Sequence, residues 1–181
     1  MRCLPTKGVR IVERQEMIGY EVGDCVLGTV LVATSERGVC AILMGDDAGD
    51  LVEDLRQRFP GAGLVPGAVA AEHFIKVVDF VASPKSGLDL PLDMRGSDFE
   101  QGVWRALQEI PAGATQTYGE VARRIGAPQA AKEVGEACAA NPLAVAVPCH
   151  RVLRKDGGLA GYRWGVKRKR ALLDLEALEI H

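Results

Sequence analysis

The sequence predicts two domains: an α/β unit with a small antiparallel sheet over residues 1–90, and a mostly helical unit over residues 91–181. Three observations lead there. Two β-rich runs lie close together in the first half, around Cys25–Ala33 and Gly38–Leu43, with a turn-forming Ser35-Glu36-Arg37-Gly38 between them. Two capping-box sequences, each opening an amphipathic run, occur only in the second half. Between the halves lies "SPKSGLDLPLDMRG", where Pro84 and Pro91 cannot join a central ladder, so the segment is a loop or short edge strand and the natural linker.

In chain order, the hairpin is followed by "DLVEDLRQRF", where Leu51, Val52, Leu55 and Phe59 recur at helical spacing until Pro60-Gly61 stops them. A loop through Gly67 precedes a second helical run, roughly Val69–Val81. Past the linker, Ser97 and Glu100 bracket the start of a helix whose Phe99, Val103, Leu107 and Ile110 form one apolar stripe. Thr117 and Glu120 open a second helix, "YGEVARRIG", which Gly126 terminates. Pro128 suits the first turn of the next, "QAAKEVGEACAAN". Two short helices about a tight turn match the spacing of a helix-turn-helix, a pattern also found in helical hairpins that never meet DNA. The chain closes on "VKRKRALLDLEAL", a helix with Leu172, Leu175 and Leu178 inward and its basic residues outward.

Composition narrows the function classes. A hydrophobic share of 48% and a charged share of 25% are those of a soluble globular protein. No apolar run reaches the length of a membrane span and no signal-peptide pattern opens the chain, so a cytoplasmic location without membrane contact is expected. The five cysteines (3, 25, 40, 138 and 149) show no paired spacing, which argues against a disulfide framework; a zinc site lacks its clustered ligands, so no metal and no cofactor is expected. The net charge of −2 disfavours a protein that coats nucleic acid indiscriminately. Yet Arg151, Arg154, Lys155, Arg163, Lys167, Arg168, Lys169 and Arg170 crowd together with only Asp156 opposing. Such a run is most simply a solvated surface; beside Cys149 and His150, it also fits an anionic partner.

The stretch "NPLAVAVPCHRVLRKDGG" carries the chemistry. A thiol reacts as thiolate, and a reference pKa of about 8.5 leaves little of it ionised at neutral pH. An adjacent imidazole can take the proton, directly or through water, and a carboxylate can orient that imidazole. Cys149 and His150 supply the pair, and His150 is the best placed of only three histidines, the others being His73 in a helical run and His181 at the end. Glu176, an acid on a leucine-rich turn of the last helix, calls for a buried partner. A cysteine taken alone is usually a small apolar core residue, the reading given to Cys40 and Cys138. The run of thiol, imidazole and guanidinium after Pro148 turns Cys149 the other way and leaves two chemistries open: a thioester-forming hydrolase or an acceptor of a transferred group.

"NPLAVAVPCHRV" followed by "GGLAGYRWGVKRKRALLDLE" resembles the active-site block of the O6-alkylguanine-DNA alkyltransferases, and "GSDFEQGVWRALQEIPAGATQTYGEVARRIGAP" is similar to the segment before it in that family. The likeness spans roughly Leu90 to Glu176. The first half, especially "ERGVCAILMGDD", resembles the matching region of the C-terminal half of bacterial adaptive-response regulators, without their cysteine-rich zinc module. The resemblance implies a ribonuclease H-like N-terminal domain and a C-terminal winged helix-turn-helix. It implies a monomer that meets double-stranded DNA containing O6-alkylguanine, or O4-alkylthymine, flips the base out and moves the alkyl group irreversibly to Cys149, once per molecule. His150 would take the proton through water and Glu176 would hold His150. Asn141 would fix the thiolate side of the pocket, Tyr118 would face the guanine ring, and Tyr162 would close over the flipped base. Lys132, Arg151 and Arg163 would serve the DNA.

One departure from the family pattern concerns Lys132, which stands where an arginine is normally inserted beside the flipped base. Lysine brings charge without a planar fork, and Glu133 and Glu136 on the same helix oppose phosphates, so slower repair of duplex DNA is expected. The alternative reading is a protein that flags alkylated DNA without reacting; such relatives lack the acceptor cysteine, which Cys149 supplies here.

Overall fold

The computed structural model describes residues 14–67 and 70–178; Cys3, Val69 and His181 lie outside the described residues. Strands β1 (Met17–Cys25), β2 (Gly28–Ser35), β3 (Gly38–Gly45) and β4 (Gly63–Pro66) form one sheet in the order β3-β2-β1-β4. The first three run antiparallel and β4 runs parallel to β1, so the sheet is mixed rather than antiparallel as expected. The connection from β3 to β4 passes through helix α1 (Ala48–Arg58), long enough to return the chain in the parallel sense.

The β-rich run expected around Cys25–Ala33 divides in two. β1 ends at Cys25, Val26 and Leu27 make the turn, and β2 starts at Gly28, whose φ of 110° suits glycine. The Ser35–Gly38 turn lies where the sequence puts it. A side chain at Gly38 would bring its Cβ to 2.4 Å from the Pro91 carbonyl oxygen, so only glycine fits that crossing. Both sheet faces are buried. Leu31, Ala33, Ala41 and Leu43 pack on Leu51 and Leu55 of α1. Val30, Val32, Ile42 and Met44 face the other way, onto Val77, Phe80 and Val81 of α2 (Ala71–Ala82) and onto the second half of the chain. Burial on both sides explains why β3 reads as a continuous apolar run.

The exposed edge of β3 is covered by two pieces of the second half, which satisfies its backbone. Val39 donates to the Pro91 carbonyl at 2.7 Å, and Asp93 donates back to Val39 at 2.8 Å. Further along, Ile42 donates to Pro142 at 2.9 Å and Ala144 to Ile42 at 3.0 Å, so the segment carrying Asn141 is pinned to the sheet.

Helices α3 (Asp98–Gln108) and α4 (Tyr118–Arg124) both begin with complete capping boxes, on Ser97/Glu100 and Thr117/Glu120. Gly126, at φ 77°, closes α4, with Ala127 donating to Ala122 at 2.9 Å. α5 (Ala131–Ala140) starts later than expected, which leaves Pro128 in the preceding turn. Trp104 Nε1 of α3 donates to the Ala137 carbonyl of α5 at 2.9 Å. The short strands β5 (Gln116–Thr117) and β6 (Val152–Leu153) pair in parallel, and α6 (Val166–Leu178) ends the described chain. Phe99 is partly exposed rather than part of the α3 stripe, and Leu178 is 75% exposed rather than inward. On α6 the inward positions belong instead to Lys169, Leu172 and Glu176.

Candidate active site

Cys149 opens a single 3-10 turn, Cys149–Arg151, set at the floor of a cavity of about 1090 Å³. The turn is built by its upstream loop. Pro142 and Ala144 are anchored to β3, Leu143 donates to Asn141 Oδ1 at 2.8 Å, and Val147 donates to the Leu143 carbonyl at 3.0 Å. Val145 sits at φ 61°, a left-handed conformation that a β-branched residue adopts only when its surroundings impose it. The fully buried Asn141 donates from Nδ2 to the Val147 carbonyl at 3.0 Å and to Cys149 Sγ at 3.3 Å. It therefore ties loop shape to sulfur environment in one side chain.

Burial pushes the Cys149 thiol above its ordinary pKa; the Asn141 N–H and the nearby Lys169 charge pull the other way without overcoming it. Burial thus favours the protonated thiol over the thiolate. His150, with no exposed surface, makes its contact through Nε2, 2.7 Å from Glu176 Oε1. An ionised carboxylate only accepts, so Nε2 carries the hydrogen and the neutral ring keeps its lone pair on Nδ1. That Nδ1 is buried and has no partner among the described residues. Burial holds the imidazole below its usual pKa against the pull of Glu176, with Arg151 and Lys169 adding to the lowering. Glu176 is 2% exposed, yet its carboxyl titrates low. Burial works against ionisation there, but bonds from His150 and Arg151 outweigh it and hold the pKa down to about 2.

The residues singled out in the sequence divide into two sets. Cys149, His150, Glu176 and Asn141 come together in one buried cluster. Tyr118, Lys132, Tyr162 and Arg163 line the cavity above Cys149. The Tyr118 ring lies against Gly135 of α5, and burial lifts its hydroxyl to about 12, so it stays protonated. Tyr162 meets Trp164 edge to face at 5.3 Å between ring centres. Arg163 donates to the Ala139 carbonyl at 2.9 Å, which ties the Gly158–Gly165 loop to the end of α5. Lys132 and Glu136 are exposed and 3.7 Å apart, whereas the exposed Glu133 borders a separate hollow beside Ala127–Ala130. Arg151 departs from expectation. Placed by the sequence among the cations facing DNA, it is instead buried against Glu176, because that carboxylate compensates its charge inside the fold.

Two contributors are not evident from the motifs alone. Lys169, 1% exposed, donates from Nζ to the Val152 carbonyl at 2.7 Å and sets a positive charge behind the thiol. A signal for it exists: Lys169, Leu172 and Glu176 are spaced three and then four apart, one face of a helix. Cys138 lines the cavity together with Cys149, and burial raises its thiol well above the ordinary range. No group of three or more histidine, cysteine or acidic side chains able to hold a metal occurs among the described residues, and none of their helices is long and apolar enough to cross a membrane.

Residues 98–178 match the family described as 6-O-methylguanine DNA methyltransferase, DNA binding domain. The bifunctional transcriptional activator/DNA repair enzyme Ada of Escherichia coli is 50% identical over 161 residues, covering 88% of this chain and 46% of that protein. The chain thus spans about half the length of that relative and of the Salmonella typhimurium regulatory protein ada. The methylated-DNA–protein-cysteine methyltransferase of Mycobacterium bovis is 49% identical over 161 residues, covering 88% of this chain and 93% of that one. Among solved structures, Mycobacterium tuberculosis OGT in complex with DNA superposes with a TM-score of 0.74 at 35% identity, covering 88% of this chain and 93% of that one.

Proposed function

The chain belongs to the methylated-DNA–protein-cysteine methyltransferase family, and from that membership we propose that it repairs DNA by moving the alkyl group of O6-alkylguanine onto Cys149, once per molecule. The observation that carries the proposal is the thiol at the floor of an open cavity, with an Asn141 N–H on its sulfur and the His150–Glu176 pair beside it.

The reaction can be traced through those side chains. The Cys149 proton passes, through one bridging water, to the Nδ1 lone pair of His150, and Glu176 stabilises the imidazolium that forms. The sulfur lone pair attacks the alkyl carbon as the bond from carbon to O6 breaks, and the electron pair of that bond goes to the guanine. The proton lost by the thiol is matched by one gained on the guanine ring, so the net products are an S-alkylcysteine and unmodified guanine. Tyr118, which lines the cavity and stays protonated, would offer its hydroxyl to the ring as it takes on that charge. Asn141 Nδ2 and the Lys169 ammonium favour the thiolate during attack. A thioether has no easy route back, hence a single turnover.

The lesion reaches the cavity by leaving the helix stack. α4, the turn through Ala130 and α5 serve as a helix-turn-helix with β5–β6 as its wing, and the 3-2-1-4 sheet with a parallel β4 supports a ribonuclease H-like N-terminal unit. Residues 91–181 then carry the reaction and residues 1–90 brace it. Arg154, Lys155 and Lys132 at the cavity mouth face phosphates, and O4-alkylthymine fits the same chemistry as a second substrate of a monomeric protein.

The test is the intact mass after incubation with an oligonucleotide bearing O6-methylguanine. A gain of one methyl group, mapped to Cys149 and absent from Cys149→Ser, supports the proposal. An unchanged mass overturns it, and tight binding without transfer would leave the flagging alternative.

A further inference from the structure

We propose that Arg151 is a positioning residue for the reaction at Cys149: by gripping both oxygens of Glu176, its guanidinium keeps His150 a neutral base with the lone pair on Nδ1. The proposal rests on Cys149 being the alkyl acceptor and adds to that reading a further residue behind the thiol.

Every edge of the guanidinium is engaged. Nε lies 3.1 Å from each oxygen of Glu176, Nη2 lies 2.7 Å from Oε1, and Nη1 donates to the Ile110 carbonyl at 2.5 Å. Oε1 is the same oxygen that receives His150 Nε2 at 2.7 Å, while Oε2 also accepts the Gly113 N–H at 3.2 Å. The carboxylate is thus shared by an imidazole, a guanidinium and a backbone amide, and it cannot rotate without breaking several bonds at once.

The sharing has an electrostatic consequence. A buried carboxylate facing an imidazole alone would draw a proton onto the ring and form an ion pair, leaving no lone pair for the thiol proton. Here His150 faces Glu176 and Lys169 from α6 and Arg151 on its own turn, beside the neutral Cys149. The end of α3 contributes only the Ile110 carbonyl, since its charged Arg105 and Glu109 are exposed and engaged with Gln101 and Arg124. Two cations against one carboxylate favour the uncharged ring. Arg151 and Lys169 both act to lower its affinity for protons, in keeping with that geometry. The planar fork spans the carboxylate while a third nitrogen reaches Ile110, which fixes the orientation of Glu176; the positive charge that disfavours a charged ring is one an ammonium would keep.

Histidine-selective NMR titration tests this, aided by a chain with three histidines whose signals are assigned through His73→Gln and His181→Gln. In Arg151→Met the His150 midpoint should rise by roughly one pH unit or more, and the acid limb of the methyl-transfer rate should move up with it. Arg151→Lys, which keeps the charge, should recover most of the shift. If Arg151→Met does not fold, Arg151→Gln retains a donor without the charge and should show the same rise. A folded neutral variant whose His150 titrates where the wild type does overturns the proposal and leaves Arg151 a structural clip. Failure of the underlying reading looks different: the wild type would gain no methyl group on Cys149, while the His150 shift could still be read.

Discussion

Glu176→Gln is the perturbation whose size the structure constrains from two directions. The carboxyl falls from an ordinary value of 4.5 to about 2 in the folded protein. At about 1.4 kcal/mol per unit, that corresponds to roughly 3 kcal/mol of stability at neutral pH. Independently, removing one partner of a buried ion pair costs roughly 3–5 kcal/mol, because the remaining charge, here Arg151, is left uncompensated. The sign follows from the direction of the shift. A carboxyl with a depressed folded pKa contributes fully above its unfolded value and loses that contribution as the pH falls through its folded value. Wild type should therefore lose about 2 kcal/mol of this contribution between pH 7 and pH 3, and the rest below about pH 3. The glutamine variant has no such carboxyl and should show no matching slope. Urea unfolding followed by far-ultraviolet circular dichroism at both pH values reads the comparison. The variant should be less stable by roughly 3–4 kcal/mol at pH 7, and the gap should narrow by about half at pH 3. A gap under about 1 kcal/mol at pH 7, or one that stays constant with pH, would refute the claim that this carboxylate is ionised and paired inside the fold.

Asn141→Ala removes the acceptor for the Leu143 N–H and the donor to Val147 and Cys149, all buried, so a stability loss of roughly 2–4 kcal/mol is expected on urea unfolding, with a methyl-transfer rate at least about tenfold slower. Because burial raises the Cys149 pKa, alkylation by iodoacetamide, followed by mass, should climb into alkaline pH with no neutral plateau; Lys169→Met, which removes a nearby positive charge, should move the climb higher still. Lys132→Arg should speed repair of duplex DNA severalfold while leaving reaction with the free base O6-methylguanine unchanged, as single-turnover rates on the two substrates would show. Arg154→Ala and Lys155→Ala should each flatten the dependence of log binding constant on log salt by about 0.9 for each phosphate no longer neutralised, whereas Arg151→Gln should leave the slope alone.

The starts of α3 and α4 were the most legible part of the fold, because a capping box is a local device: Ser97/Glu100 and Thr117/Glu120 satisfy backbone groups within three residues of themselves. Strands were harder. β1 carries Gly19, Glu21, Gly23 and Asp24, residues with little preference for a sheet, and is held by pairing with β2 on one side and β4 on the other. β4 is four residues long and ends in proline, so only its partner reveals it. The parallel sense of β4 depends on where α1 returns the chain, a tertiary fact that no window of sequence contains. Phe99 shows the opposite failure: its spacing fits the α3 stripe, but as the second residue of the helix it falls at the margin of the core and stays partly exposed.

At the site, what the sequence made plain was the candidate nucleophile, and what it concealed was the company that sulfur keeps. Cys149, His150 and Arg151 are neighbours in sequence, yet on one short turn their side chains leave in different directions, toward the cavity, toward α6, and toward both α6 and the end of α3. Adjacency therefore made Arg151 look like part of an outward basic run, when its partner lies 25 residues on. The last helix explains the error. Counting its leucines as the inward face predicts outward charges, but Lys169 and Glu176 lie on the same face as Leu172 and are drawn in by the Val152 carbonyl, the His150 ring and the Arg151 fork. A helix whose buried face carries a lysine and a glutamate has little amphipathic contrast to detect, and burying those charges is costly unless each finds a fixed partner. Here the partners are the turn that carries Cys149 and the strand after it. The polar groups that blur the helix in the sequence are thus the ones that hold the Cys149 thiol, the His150 imidazole and their counter-charges in one arrangement.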